Sequence, residues 1–510
     1  MPLFSLRLMI TLLLHILLHA HSTSSTSIYW NAPYSQDVKS DYVEDNLGPP
    51  PPPPPPDLRV ARALGVKGYS KFRVSVITHG PKTFPDINFT YSSKFQYRWT
   101  AWSDPTRSRS QPNVPERWLH SMLVDVGSGP SSGGVLNFTI DGHPVQINLP
   151  RRGAGAKGIV ISDPCFHPPP GVQSWIDCKW SATWGTFDKL TRLLEGAVAG
   201  GKTSGKTSGK TSGKTSGTNG IDYWTIVGDN FYDQNGAISD VFFQNLSLNV
   251  KSIPLSMVIG NHDMWIEGGP SDGDEFDQHG NGMMQYYALD PASSIDPAVV
   301  KTQPGAFLDF RLNPDDVAKW NSTLNTASNL VWYNSIGDTA FIGVSGAFTE
   351  EELAPHFDAA CAWLATEAEM SNDIQWLFLF GHWDKDTSQE GEKCDPCPHM
   401  DTPDMYRRLR NTTGCREFGD RFKYMDGHTH CNYVQEKDVG FMIGGSGMQG
   451  CGQFGFEYVD STGGELQIYY FELERVNTTS RSDEILNCIE EKGVSECTSL
   501  ATIWFDSSKR

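Results

Sequence analysis

Four apolar runs in this chain end in the same kind of place. "GIVISD" gives way to Asp163, "YWTIVGDNFYD" to Gly228-Asp229-Asn230, "PLSMVIGNHD" to Gly260-Asn261-His262-Asp263, and "QWLFLFGHWD" to Gly381-His382. A fifth run, "RFKYMDGHTH", ends in Gly427-His428-Thr429-His430. Carboxylate, amide oxygen and imidazole are the donors that hard-to-borderline divalent or trivalent metals accept, and their number suits two ions sharing one carboxylate, for which Asp229 is the candidate. Singly, a loop histidine is usually solvated and an aspartate after a strand usually caps a helix. Repetition at five strand ends is what points to a metal site. A glycine before a ligand lets the backbone turn tightly and bring the side chain back over the sheet edge.

The elements that must position these residues begin near Gly153. There strand-like and helical patterns alternate, as in "KGIVISD", "FDKLTRLLEGAV", "YWTIVGD" and, later, "EELAPHFDAACAWLATEAE" before "IQWLFLFGHWD". That is the rhythm of an α/β sheet, whose strand ends converge on one edge where ligands sit. The glycine-separated segments "GFMIGGSG", "FGFEYVD" and "ELQIYYFELE" imply a second layer of sheet. From Leu58 to Leu149 the pattern has period two, and Asp141-Gly142 is a hairpin signal, so a small all-β sandwich is expected there. The expected order is a leader over 1–24, a proline-rich linker over 25–57, the sandwich over 58–152, the α/β region over 153–478 and a C-terminal tail over 479–510.

Other features exclude more than they assign. A formal net charge of -19, with no basic stripe, argues against nucleic acid as a partner. Arg7 followed by "LMITLLLHILLHA" has the plan of a secretory signal peptide, and no later run is long enough to span a membrane, so no stable membrane anchor is expected. Ten cysteines in an oxidising compartment read most simply as disulfides, with Cys165 to Cys178 one pairing and "CDPC" at Cys394 and Cys397 given no catalytic role. Six sequons, at Asn88, Asn137, Asn245, Asn321, Asn411 and Asn477, agree with secretion. The stretch from Gly196 to Thr203 matches the phosphate-cradling loop pattern. However, a helical pattern precedes it and a Lys-Thr-Ser-Gly repeat follows within 200–220, so a flexible surface loop is expected rather than a nucleotide site.

The strings "GDNFYD", "GNHD", "GHWD" and "GHTH", in that order and each after a strand, resemble the calcineurin-like metallophosphoesterases. Tyr232, three residues after Asp229, makes the resemblance strongest to the purple, tartrate-resistant type of acid phosphatase. The resemblance implies a four-layer α/β/β/α sandwich preceded by the small all-β region. It also implies one metal held by Asp163, Asp229, Tyr232 and His430, and a second by Asp229, Asn261, His382 and His428. The implied pair is iron(III), favoured by the Tyr232 phenolate, with a divalent zinc, iron or manganese ion. His262 and Asp229 are the implied catalytic residues, with His262 contacting the phosphate. The first motif departs from the family's Asp-x-His or Asp-x-Gly, since "SDPCFH" displaces His167 by two positions. Asp125 in "MLVDVGSG" is a rival, but only Asp163 is followed by one helix and then the Asp229 strand.

The implied function is that of a secreted hydrolase cleaving phosphate monoesters by in-line attack of a metal-bound hydroxide. A phosphodiesterase or nucleotide hydrolase of the same fold is an alternative. An inactive, metal-stabilised adhesion protein is another, and the intact His262 weighs against it.

Overall fold

The computed structural model describes residues 55–62, 71–80, 82–87, 91–94, 117–126, 133–167, 178–199, 220–233, 236–263, 281–287, 331–371, 373–384, 399–448 and 450–509. The leader, the linker before Pro55, the Lys-Thr-Ser-Gly repeat, Cys394, Cys397 and the sequons at Asn88 and Asn321 lie outside them. Four antiparallel strands come first: β1 (Asp57–Arg62), β2 (Lys71–Thr78), β3 (Tyr91–Lys94) and β4 (Trp118–Asp125), in the order β1-β2-β4-β3. A hairpin follows, β5 (Gly134–Ile140) and β6 (His143–Leu149). Asp141 and Gly142 at its tip both have positive φ, 57° and 78°, as a two-residue turn of this hand requires. Leu58, Val60, Phe72, Val74 and Val76 from the sheet meet Ile140, Val145 and Ile147 from the hairpin in one buried cluster.

The remaining strands form two six-stranded sheets. In the first, β7 (Lys157–Ile161), β8 (Tyr223–Val227) and β9 (Leu255–Val258) run parallel, and β16 (Gln453–Asp460), β17 (Gln467–Arg475) and β18 (Thr502–Asp506) extend the sheet antiparallel beside β7. The second has the order β10-β11-β12-β13-β15-β14, built from β10 (Val331–Ile336), β11 (Thr339–Val344), β12 (Trp376–Gly381), β13 (Phe422–Asp426), β14 (Asn432–Glu436) and β15 (Gly440–Ile443). Here β11, β12, β13 and β15 are parallel. Strands β8, β9, β12 and β13 are buried along their whole length, which is why they read as continuous apolar runs rather than as alternations. The facing sheets share one core, with the Tyr223 and Phe341 rings 4.8 Å apart and Trp332 Nε1–H donating to Met257 O across 2.7 Å.

Helices cover the outer faces and complete four layers. On the first sheet lie α1 (Thr186–Ala199) and α2 (Ala237–Asn245). On the second lie α3 (Glu350–Ser371) and α4 (Thr402–Arg410). Helix α1 buries Leu190, Leu193, Leu194 and Ala197, the spacing of one helical face. None of the helices among the described residues is long and apolar enough to cross a membrane.

One expectation needs correction. Residues 479–510 are not a tail: α5 (Ser482–Lys492) packs on α1, with Glu490 paired to Arg192, and β18 is a strand of the first sheet. The all-β strands have a buried cluster of their own and also touch the α/β part through side chains. Arg59 of β1 is buried with its guanidinium 3.4 Å over the Phe243 ring of α2, and Arg117 pairs with Asp240 of α2 at 2.5 Å.

Candidate metal centre

Register explains why distant residues meet. Ile161 pairs with Ile226 and Val227 with Val258, so β7, β8 and β9 end level and Asp163, Asp229 and Asn261 emerge side by side. In the facing sheet Phe380 pairs with Met425, which brings His382 and the His428–His430 turn to the same end. The side chains therefore gather where the carboxyl ends of two sheets meet, not along one sheet edge.

The backbone here is unusual. Asp163, Asp229, Tyr232, His428 and His430 all have positive φ, between 48° and 72°, a region non-glycine residues seldom occupy and one that clusters at functional sites. Of the glycines before the ligands, Gly228 turns at a φ of 87°. Gly260 and Gly427 serve close approach instead: a Cβ at Gly260 would collide with the Asp229 carboxylate, and one at Gly427 with Ser162.

Two donor groups share Asp229: Asp229, His382 and His428 form one, and Asp163, Asp229 and His430 the other, with each group's ligand atoms within 4.8 Å of one another. In the first, Asn261 Oδ1 lies 3.1 Å from His382 Nε2 and 2.9 Å from His428 Nδ1, while His382 Nε2 is 3.4 Å from Asp229 Oδ1. In the second, the Tyr232 hydroxyl stands 3.1 Å from Asp163 Oδ1 and 2.8 Å from His430 Nε2. Asp163, Asp229, Tyr232 and His382 are fully buried.

The donor set fits metal ions. His382 Nδ1 lies 3.0 Å from Val227 O, so its N–H donates to that carbonyl and Nε2 is left facing the amide, the carboxylate and the second imidazole. Electrostatics make the same demand for positive charge. Burial opposes ionisation of Asp229, yet His382 and His262 outweigh it and hold the carboxyl well below the usual range. Burial also disfavours an imidazolium at His382, but Asp229 and Asp163 raise it to about 10, so without a metal this ring is the local cation. Burial and that neighbour push His428 down to about 4. Burial, Asp163 and Asp229 raise the Tyr232 phenol well above its ordinary value, so a phenolate at Tyr232 requires a cation beside it.

All seven ligand candidates come together, and His262 joins them. Its backbone N–H donates to Asp229 Oδ1 across 2.9 Å and its ring lies 5.2 Å from that of Tyr232. Asp125 does not: it ends β4 in the first antiparallel sheet, paired with Lys71 at 2.6 Å. His167 is exposed and stands outside both groups, and Cys165 is bridged to Cys178. The sequence reading assigned nothing to Asp263. Its carboxylate accepts from Asn230 N, Asn230 Nδ2 and Gly260 N, each across 2.7 Å, and so ties the Asp229 loop to the Asn261 loop. Its acidic side chain directly after His262 was the only available signal.

No family model matches the sequence, and no curated protein matches it. Several solved structures are similar. A purple acid phosphatase from yellow lupin (Lupinus luteus) seeds is 13% identical, with a TM-score of 0.47, over 82% of this chain and 72% of that one. A dimetal phosphatase from Danio rerio is 11% identical over 61% of this chain and 95% of its own, with a TM-score of 0.28. A Streptococcus pneumoniae protein described as a predicted phosphoesterase is 10% identical over 69% and 98%, with a TM-score of 0.22.

Proposed function

We propose that this chain is a dinuclear-metal phosphoester hydrolase of the acid phosphatase type, acting on phosphate monoesters. The observation that carries the reading is Asp229, one buried carboxylate common to two donor groups where the carboxyl ends of parallel strands in two facing sheets meet. Two bound ions would polarise a phosphoryl oxygen and lower the pKa of a water for in-line attack. Asp163, Asp229, Tyr232 and His430 would hold one ion; Asp229, Asn261, His382 and His428 would hold the other. Tyr232, as the only phenol of the set, favours iron(III) in its half, with zinc, iron or manganese in the other.

The chain's own residues do the rest. His382 is fixed through Nδ1, and Asp163 is fixed through the His428 N–H, which donates to its Oδ2 across 3.0 Å. His262, whose backbone N–H donates to Asp229 Oδ1, would contact the phosphoryl group and help stabilise the leaving group. Four disulfides joining described residues support an oxidising, secretory setting.

The test is turnover of an aryl phosphate monoester and of the matching diester by the purified chain, with iron measured alongside. Monoester turnover by a coloured, iron-containing protein is expected. Diester preference would move it to the phosphodiesterases, and metal-replete protein inert on both would leave the adhesion reading.

A further inference from the structure

The two halves of the centre are held differently. His430 is followed directly by Cys431, and only Pro164 separates Asp163 from Cys165. Both cysteines are bridged, Cys165 to Cys178 and Cys431 to Cys451. The first bridge packs with Tyr232 and Met448 in one buried cluster. The second presses its loop onto His430: a Cβ on Gly450 would lie 2.9 Å from His430 Cβ and 3.0 Å from Thr429 O.

The segment after β15 links the two bridges. Cys165 N–H donates to Ser446 O across 3.2 Å, Trp180 N–H to Gly447 O across 3.0 Å, and Gly444 N–H to Cys431 O across 2.9 Å. Asp163, Tyr232 and His430 thus stand within a frame of two covalent links and one loop. The other half is held by strand ends and hydrogen bonds: His382 Nδ1 on Val227 O, and Gly427 N–H donating to His382 O across 2.9 Å. Bridge Cys361–Cys415 ties α3 to the segment after α4, and Cys488–Cys497 joins α5 to the turn after it.

We infer that the Cys165–Cys178 and Cys431–Cys451 bridges are positioning elements for the Asp163–Tyr232–His430 half alone, so that opening them weakens metal binding there and spares the Asn261–His382–His428 half. The physical reason lies in where the bridges attach: left-handed backbone occurs in both halves, His428 included at a φ of 72°, but Asp163, Tyr232 and His430, with φ of 52°, 51° and 56°, are the residues that adjoin or pack on the bridged cysteines, whereas the His428 turn is also tied to His382 O through Gly427 N–H. Such a conformation persists only where the surroundings over-determine it. Cutting the bridges removes that constraint from three donors at once. The chain's metal content would then follow its redox state. A dithiol would deliver two electrons and two protons to each bridge, leaving two cysteine thiols and its own cyclic disulfide.

This rests on the two-metal reading, and the experiment separates the two. Metal-stripped full-length chain is titrated with zinc(II) alone, and stoichiometry and affinity are read together with near-ultraviolet difference absorption of Tyr232. Wild type that takes up no zinc would defeat the two-metal reading itself. If wild type binds two, Cys165→Ser/Cys178→Ser and Cys431→Ser/Cys451→Ser should each keep one tight ion. The ion accompanied by the tyrosine signal should weaken on the order of 10- to 100-fold, the range for groups that orient metal ligands. The control Cys488→Ser/Cys497→Ser should bind like wild type. Should a double variant fail to fold, dithiol titration of the holoprotein decides: selective release of one ion from folded chain is expected. Equal loss of both ions, or loss only on unfolding, would overturn the inference, as would unchanged binding after both bridges open.

Discussion

Asp163 and Asp125 each close an apolar run, and both are candidates for the first metal ligand from sequence alone. Asp163 is buried and 3.1 Å from the Tyr232 hydroxyl, whereas Asp125 is 42% exposed and paired with Lys71. Asp163→Ala is therefore expected to lower turnover by more than the 10- to 100-fold typical of residues behind the ligands. Asp125→Ala should leave turnover intact and change stability by about 0.5 kcal/mol or less, as for an exposed ion pair. Paired activity and denaturation measurements check this, and the opposite ranking would move the first ligand into the first antiparallel sheet. The ligand candidates were legible because each follows a strand at a point where apolar residues give way to oxygen and nitrogen donors. Asp263 was not, because a carboxylate after His262 reads equally well as a ligand, and only the folded loops show it bound to Asn230 and Gly260.

The elements were legible to the extent that their order is local. The parallel strands, α1 and the Asp141-Gly142 hairpin carry their own periodicity or turn chemistry. Strand β18 carries little: "TIWFD" is five residues, and its place beside β17 depends on a pairing across the α5 segment that no local pattern reveals. The division of the ligand candidates between two sheets was likewise hidden, since buried parallel strands look alike whichever sheet they join. The Lys-Thr-Ser-Gly repeat allows an expectation at this scale. It runs between α1 and β8, and at its far end a Cβ on Gly220 would sit 3.4 Å from Val198 O, so the ends of the connection already lie together. Deleting Lys202 to Gly217 closes a shorter loop at little cost and should leave turnover and melting temperature almost unchanged. Loss of an ATP-dependent activity on deletion would revive the phosphate-loop reading.

At the scale of the whole molecule, the partly buried Asp222 and the buried Asp338 give a pH dependence of stability that is separate from the metal centre. Burial raises Asp222 to about 7, against the Lys157 N–H that it accepts, and raises Asp338 to about 6, against the hydroxyls of Ser461 and Thr339. A carboxyl whose folded value lies above its unfolded one contributes stability that is complete below about pH 4 and is lost as pH rises through the folded value. For Asp222 that is on the order of 4 kcal/mol between pH 4 and pH 7. Urea midpoints should fall from pH 5 to pH 8, and Asp222→Asn with Asp338→Asn should flatten the slope; a midpoint rising over that window would contradict it. The central claim, two metals around one shared carboxylate, is tested most directly by metal content per chain in wild type and in Asp229→Asn. Two ions in the wild type, and fewer in both halves once Asp229 loses its charge, are expected. An Asp229→Asn protein that keeps both ions and normal turnover would contradict it.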